Sequence, residues 1–235
     1  LALALVSLAV SKHAIGQALY YVLWAVVLIY LVNQVRKPDK WAGRFFLWLM
    51  NMSHSGVTDW GLTHAAIKQD FTILDVGCGG GRTIEKLAGA ARNGMVYGVD
   101  YAAGSVAASR ARNAQLIEAG CVEIEQASVS RLPFPEGKFD LVTAVETQYY
   151  WPEPAKDMQE ILRVLKPGGT LLVIAETYKK GANNWLQGPV MKLIGSTTLS
   201  VEEQRELFAK AGYGNIQIFE ERAKGWICGV GNKPL

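Results

Sequence analysis

Two acids and a glycine-dense turn are the residues best suited to chemistry. The segment Leu74-Asp75-Val76-Gly77-Cys78-Gly79-Gly80-Gly81-Arg82 joins the end of an apolar run to a helical stretch. Glycine accepts positive φ and lets a ligand approach the backbone closely. Unpaired N–H groups at a helix start attract negative charge. Spacing separates the nucleotide classes that use such a turn. A dinucleotide fingerprint reads GxGxxG. Here the glycines at 77, 79 and 81 give GxGxG, and Arg82 stands where the last fingerprint glycine belongs. A bulky Arg opposes the close helix–strand packing of a nicotinamide site, and the missing P-loop lysine argues against ATP or GTP. With Asp75 at the strand end, the turn reads as one that holds an amino acid's ammonium and carboxylate. Asp100 closes the next apolar run, VYGVD (96–100), and lies 23 residues after Gly77. That separation suits a ribose diol, although an Asp at a strand end also serves as a helix cap.

These residues need a scaffold, and the pattern after residue 70 supplies one. Apolar runs at Phe71–Val76, Met95–Val99, Val122–Glu125, Phe139–Val145 and Thr170–Ala175 read as strands. Helical stretches at Arg82–Ala91, Ser105–Ala119 and Pro154–Leu165 lie between them. The alternation predicts a parallel sheet covered on both faces, an α/β domain. Lys166-Pro167-Gly168-Gly169 is expected to stop the third helix and turn into the fifth strand. Ser200–Ala211 reads as a helix opened by a capping box of Ser200 and Glu203. Two last strands are expected near Ile216–Glu220 and Trp226–Val230.

Four segments together carry a family resemblance: LDVGCGGGR (74–82), VYGVD (96–100), RLPFPEGKFDLV (131–142) and EILRVLKPGGTLLV (160–173). In this order and spacing the chain, over roughly residues 55 to 232, resembles the class I S-adenosylmethionine-dependent methyltransferases. It looks closest to the bacterial group related to ubiquinone/menaquinone-biosynthesis and sterol methyltransferases. The resemblance implies a Rossmann-like, doubly wound, seven-stranded, mostly parallel sheet whose last strand is antiparallel. It also implies S-adenosyl-L-methionine as cofactor. Asp75, Gly77, Cys78 and Gly79 would then line the methionine end, Asp100 would hold the ribose, and Tyr101 would lie beside the adenine. Ser128, where many relatives carry Asp, would meet the adenine together with Val129. Val145 would complete the cofactor wall.

Methyl transfer from a sulfonium is an in-line displacement, so placing the acceptor is most of the task. A base is needed only where the nucleophile must lose a proton. The aromatic segment Val145-Glu146-Thr147-Gln148-Tyr149-Tyr150-Trp151-Pro152 falls where the acceptor would lie. Glu146, His54 and His64 are the candidate bases, each equally readable as a polar wall or a cap. The aromatics point to a planar or lipophilic small-molecule acceptor, though a core stripe has the same appearance.

The N-terminal part is different in kind. No Asp, Glu, Lys or Arg occurs between His13 and Val35, and Ala18–Val32 is unbroken apolar and aromatic sequence. About 20 helical residues cross a bilayer's hydrocarbon, so this window predicts an N-terminal transmembrane helix. Arg36, Lys37, Lys40 and Arg44 follow it, against Lys12 alone before it, which places the later chain in the cytoplasm. Three parts are expected: a membrane anchor over 1–36, which Leu1–Val10 would extend as the end of an earlier span, a helical cap over 37–70, and the cofactor-binding domain over 71–235. Within the cap, KWAGRFFLWLMNM (40–52) reads as a surface or capping helix.

Composition agrees with this division. Hydrophobic residues make up 50% and charged residues 19% of the 235, which excludes intrinsic disorder. A net charge of +3 gives no footprint for nucleic acid. Cys78, Cys121 and Cys228 lie far apart, so neither a disulfide framework nor a zinc site is expected. The competing functions are a nicotinamide-dependent oxidoreductase and a non-catalytic, cofactor-binding membrane module.

Overall fold

The computed structural model describes residues 21–22, 55–179 and 198–235. The expected membrane span (apart from helical, exposed Tyr21 and Val22), the helix expected over 40–52 and His54 lie outside the described residues. Among the described residues, no helix is long and apolar enough to cross a membrane.

The described chain runs α1 (Ser55–Leu62), β1 (Thr72–Val76), α2 (Arg82–Ala90), β2 (Met95–Asp100), α3 (Ala103–Arg112), α4 (Ala114–Glu118), β3 (Val122–Gln126) and β4 (Phe139–Val145). A 3-10 turn at Gln148–Tyr150, α5 (Pro154–Val164), β5 (Leu165–Ala175), α6 (Val201–Ala211), β6 (Gly214–Glu221) and β7 (Trp226–Asn232) complete it. The seven strands form one sheet in the order β3-β2-β1-β4-β5-β7-β6. β7 runs antiparallel to both its neighbours, while the other pairs are parallel. The expected seven-stranded topology with an antiparallel last strand is the one observed.

Alternation along each strand sorts side chains between two cores, because successive residues face opposite sides of a sheet. Leu74, Val76, Val142, Ala144, Leu171 and Val173 pack under α5 and α6, against Met158, Ile161 and Phe208. Ile73, Leu141, Leu172 and Ile174 face the other way, onto α1 and α2 through Val57, Ile84 and Leu87. Strand order reverses direction between β1 and β4, and in open α/β sheets ligands bind beyond the strand ends at such a switch.

Two boundaries differ from expectation. The helix expected across Ser105–Ala119 breaks at Asn113 into α3 and α4. There the Asn113 amide donates to the carbonyls of Gly81 (3.0 Å) and Ser109 (2.9 Å), side-chain bonding that competes with a continuous helix. The Lys-Pro-Gly-Gly segment does not end a helix and start a strand. The chain is already extended at Leu165, which pairs with Phe139, and the next pair is Thr170 with Leu141. Residues 166–169 therefore bulge out, and the chain's C-terminal end closes the bulge: Gly168 N donates to Lys233 O and Lys233 N to Gly169 O, both at 2.9 Å.

The capping box of α6 forms as read. Glu203 N donates to Ser200 Oγ (3.1 Å) and Ser200 N to a Glu203 carboxylate oxygen (2.7 Å). Ser200→Ala is expected to cost about 1 kcal/mol of stability, seen as a lower urea midpoint with an unchanged slope.

Candidate functional site

The turn after β1 crosses the sheet at the switch point. The N–H groups of Gly77 and Cys78 both donate to Val99 O, at 2.8 and 3.0 Å. Gly79 N donates to Asp100 Oδ2 at 3.0 Å, and Ala102 N to Asp100 Oδ1 at 2.9 Å. Gly77 (φ 72) and Gly81 (φ 78) hold conformations that other residues resist. Both are also crowded: a Cβ on Gly77 would stand 2.2 Å from Thr147 Oγ1, and one on Gly81 2.4 Å from Ser109 Oγ. A Cβ on Gly79 would meet nothing within 4 Å; that side of the loop is open.

The close approach of helix to strand, which a dinucleotide fingerprint obtains from its last glycine, comes here from Gly98 in β2. A Cβ there would lie 2.3 Å from Ile84 Cδ1 in α2. That compensates for Arg82, and its signal was present in the sequence as a glycine inside a buried strand.

A cavity of about 450 Å³ opens above the turn. Gly77, Cys78, Gly79, Asp100, Tyr101, Ser128, Val129, Val145 and Glu146 all line it. Asp75 does not. It is 1% exposed beneath the turn, and its Oδ1 accepts from Thr143 Oγ1 at 2.7 Å. That bond ties it to β4, beneath the wall rather than in it. His64 is also elsewhere. Its ring stacks on Phe219 at 4.1 Å and meets Trp60 edge-on at 4.8 Å, so it packs between α1 and the last hairpin. Ser128 Oγ accepts from Ser130 N at 3.2 Å, which fixes the turn beside the cavity.

Some contributors were not legible in advance. Ser105 bonds the Asp100 carboxylate, Thr143 bonds Asp75, and Thr147 sits against Gly77. Ser55, Thr58, Arg82 and Thr83 also line the cavity. Nothing in a single strand or helix pattern pairs these positions.

The electrostatics follow from burial. Desolvation raises the carboxyl of Asp100, against the opposing N–H groups of Ala102 and Gly79 and the Ser105 hydroxyl. Asp75 is pushed to about 7 by burial, with the Thr143 bond pulling it down and the charge of Asp100 pushing it up. Burial also drives the Cys78 thiol well up, so it is no nucleophile. Glu146 has a positive φ of 57 at the end of β4. Its carboxylate accepts from the Glu176 N–H and its own N–H donates to Ile174 O at 2.9 Å. Tyr149 O–H donates to Thr177 O and accepts from Thr177 N, both at 3.2 Å. The loop after β4 is thus clamped to the end of β5.

Residues 74–173 match a family model described as a methyltransferase domain. Over those residues the chain carries an S-adenosylmethionine-dependent methyltransferase domain. A ubiquinone biosynthesis O-methyltransferase of Idiomarina loihiensis is 32% identical over 121 residues, 50% of this chain and 46% of that protein. A 2-methyl-6-phytyl-1,4-hydroquinone methyltransferase of Synechocystis sp. is 32% identical over 127 residues, 52% of this chain and 38% of that protein. The matched stretch thus spans less than half the length of these two relatives. A chain of the Haloferax volcanii complex between the Trm112 methyltransferase activator and a methyltransferase shares the fold, with a TM-score of 0.71 at 23% identity, covering 83% of this chain and 96% of that one.

The cofactor of such a methyltransferase domain is S-adenosyl-L-methionine, and the residues present fit it. Gly79, Ala102 and Ser105 take three of the roughly four acceptor sites of the Asp100 carboxylate, which leaves capacity for a sugar hydroxyl. The open face of the turn at Gly79 leaves space for the amino-acid tail. The nicotinamide reading has no remaining support in the methyltransferase domain.

The raised carboxyl of Asp75 has a consequence for stability. Between its usual 3.8 and about 7 the folded chain keeps a proton that the unfolded chain releases. Its stabilising contribution is therefore complete below pH 4 and lost as pH rises to 7. The advantage of Asp75→Asn over the parent is expected to grow across that window, by on the order of 1–4 kcal/mol, and level off above it. Denaturant titrations at pH 4, 6 and 8 check this, and a constant difference refutes it.

Proposed function

We propose that this chain transfers the methyl group of S-adenosyl-L-methionine to a small lipophilic acceptor met at a membrane. The reading is carried by the two-sided cavity: a polar half built from the glycine turn and Asp100, adjoining a wall of Tyr150, Trp151 and Pro152. Asp100 would bind the ribose, Tyr101, Ser128 and Val129 the adenine, and Gly77 to Gly79 the tail, with Asp75 holding the loop from below. The names of the two curated relatives, one for ubiquinone biosynthesis and one for a phytyl hydroquinone, support a quinone-like acceptor. The uncharged window 13–35 and the basic residues after it support a tether with the domain on the cytoplasmic side. The net charge of +3 favours a small molecule over nucleic acid.

In the reaction an acceptor lone pair attacks the methyl carbon, the sulfur–carbon bond breaks, and its electrons remain on sulfur as S-adenosylhomocysteine. The acceptor's proton leaves to a base or to water. Holding acceptor and methyl in line contributes up to roughly 7–11 kcal/mol of the barrier reduction. Glu146 is the candidate base placed in the cavity wall; His64, packed against Phe219, is not. The clamp to Glu176 fixes where the Glu146 carboxylate sits.

Incubating the protein with methyl-tritiated cofactor and a total membrane lipid extract is expected to move label into the organic phase. Label appearing only with water-soluble extracts, or none with either, overturns the acceptor class or the transfer itself. Glu146→Gln is expected to lower the turnover rate about 100-fold while leaving the cofactor Kd within twofold, by calorimetry and single-turnover assay. A near-parental rate removes Glu146 as the base.

A further inference from the structure

We propose that Asp157 is a positioning residue that ties the acceptor wall of the cavity to its cofactor wall, so that a bound cofactor steadies both. In-line transfer needs the two walls in register, and a small misplacement costs much of the rate. The walls come from different loops. Ser128 and Val129 lie between β3 and β4, whereas Tyr150, Trp151 and Pro152 follow β4.

Helix α5 opens at Pro154, just after the acceptor wall, and its first turn carries Asp157. This side chain is 1% exposed, and its two oxygens reach in two directions. Oδ2 accepts from the Glu153 N–H at 2.9 Å, next to Pro152 of the acceptor wall. Oδ1 accepts from the Ser130 hydroxyl at 2.7 Å, next to Val129 of the cofactor wall. Ser130 in turn donates its N–H to Ser128 Oγ at 3.2 Å. Ser130, Asp157 and Glu153 lie outside the cavity lining, so their bonds join the two walls without occupying the space between them.

Neighbouring bonds hold one loop each. Further along α5, Glu160 accepts from the Leu132 N–H at 2.8 Å, and Arg163 donates to Phe134 O at 2.8 Å and Leu132 O at 3.2 Å. Those bonds fasten the cofactor-side loop to the helix. The bonds of Glu146 and Tyr149 fasten the acceptor loop to the end of β5 instead. Asp157 is the side chain of this set that reaches both loops. An acid in a first turn also favours the helix start, but that effect needs neither burial nor a serine partner. A buried carboxylate is costly unless its oxygens are bonded, and here the bonds go one to each loop.

The tie rests on the cofactor placement proposed above, and amide hydrogen exchange separates the two. Full chain in mild detergent is compared with and without S-adenosylhomocysteine. In the parent the ligand is expected to slow exchange both in the glycine turn (77–83) and in the acceptor loop (148–153). Ser130→Ala removes the cofactor-side arm and leaves the Glu153 bond. It is expected to keep the slowing in the turn within about twofold and to lose about fivefold or more of that in the acceptor loop. Asp157→Asn offers an oxygen to the Glu153 N–H and an amide donor to Ser130 Oγ, and is expected to keep both. Ser200→Ala, which weakens the fold at α6, is expected to keep both as well. Should Ser130→Ala fail to fold, Ser130→Cys, of similar size and a weaker donor, replaces it. Slowing at 148–153 that survives the Ser130 change, vanishes in Asp157→Asn, vanishes equally in Ser200→Ala, or is absent from a parent protected at 77–83, overturns the tie and leaves the cofactor placement standing. A parent protected in neither segment overturns that placement and the tie with it.

Discussion

The hydrogen bond from the Gly79 N–H to the Asp100 carboxylate, 3.0 Å long, ties the glycine turn to the end of the neighbouring strand. The site depends on that tie. It holds the loop between β1 and α2 at a fixed height over the sheet, and it orients the one carboxylate suited to a sugar diol. Val99 O supports it from behind, taking the N–H groups of Gly77 and Cys78. Close packing then removes any alternative: Thr147 fills the space over Gly77, while Ser109 and Asn113 fill that beside Gly81.

The same arrangement buries two acids. Asp75 and Asp100 are 1% and 7% exposed, and a buried carboxylate is costly without compensating partners. Thr143 partly compensates Asp75, and the amides of Gly79 and Ala102 with the Ser105 hydroxyl partly compensate Asp100. Their raised carboxyls show that the compensation is incomplete. Asp100, which lines the cavity, still has capacity to accept from a ligand hydroxyl. Strain at Glu146, whose positive φ is held by the clamp to β5, is also of the kind that clusters at functional sites.

The glycine turn and VYGVD were readable because their chemistry is local: a strand end, a turn demanding positive φ, an acid at the next strand end. The strands were readable from short apolar runs between helical stretches. His64 and Asp75 show where that reading stops. His64 lies near the start of the domain, as a pocket residue would, yet aromatic packing with Phe219 from the far end of the chain claims it. Asp75 lies beside the glycines but points beneath them to Thr143, 68 residues away. The break at Asn113 and the bulge at 166–169 escaped for a similar reason, since their partners, Gly81 and Lys233, lie on other elements.

The sequence by itself determined the α/β alternation, the order of the motifs, the glycine turn and the acid two dozen residues on, because each follows from periodicity or from conformations only certain residues adopt. Tertiary structure decided which side chains share the cavity. It set Asp75 below the loop and His64 outside it, brought Thr147, Ser105 and Arg82 to the site, and let Gly98 stand in for a missing fingerprint glycine. Those outcomes depend on the register between β1, β2 and β4 and on how closely α2 and α3 approach the sheet, distances that no single element encodes.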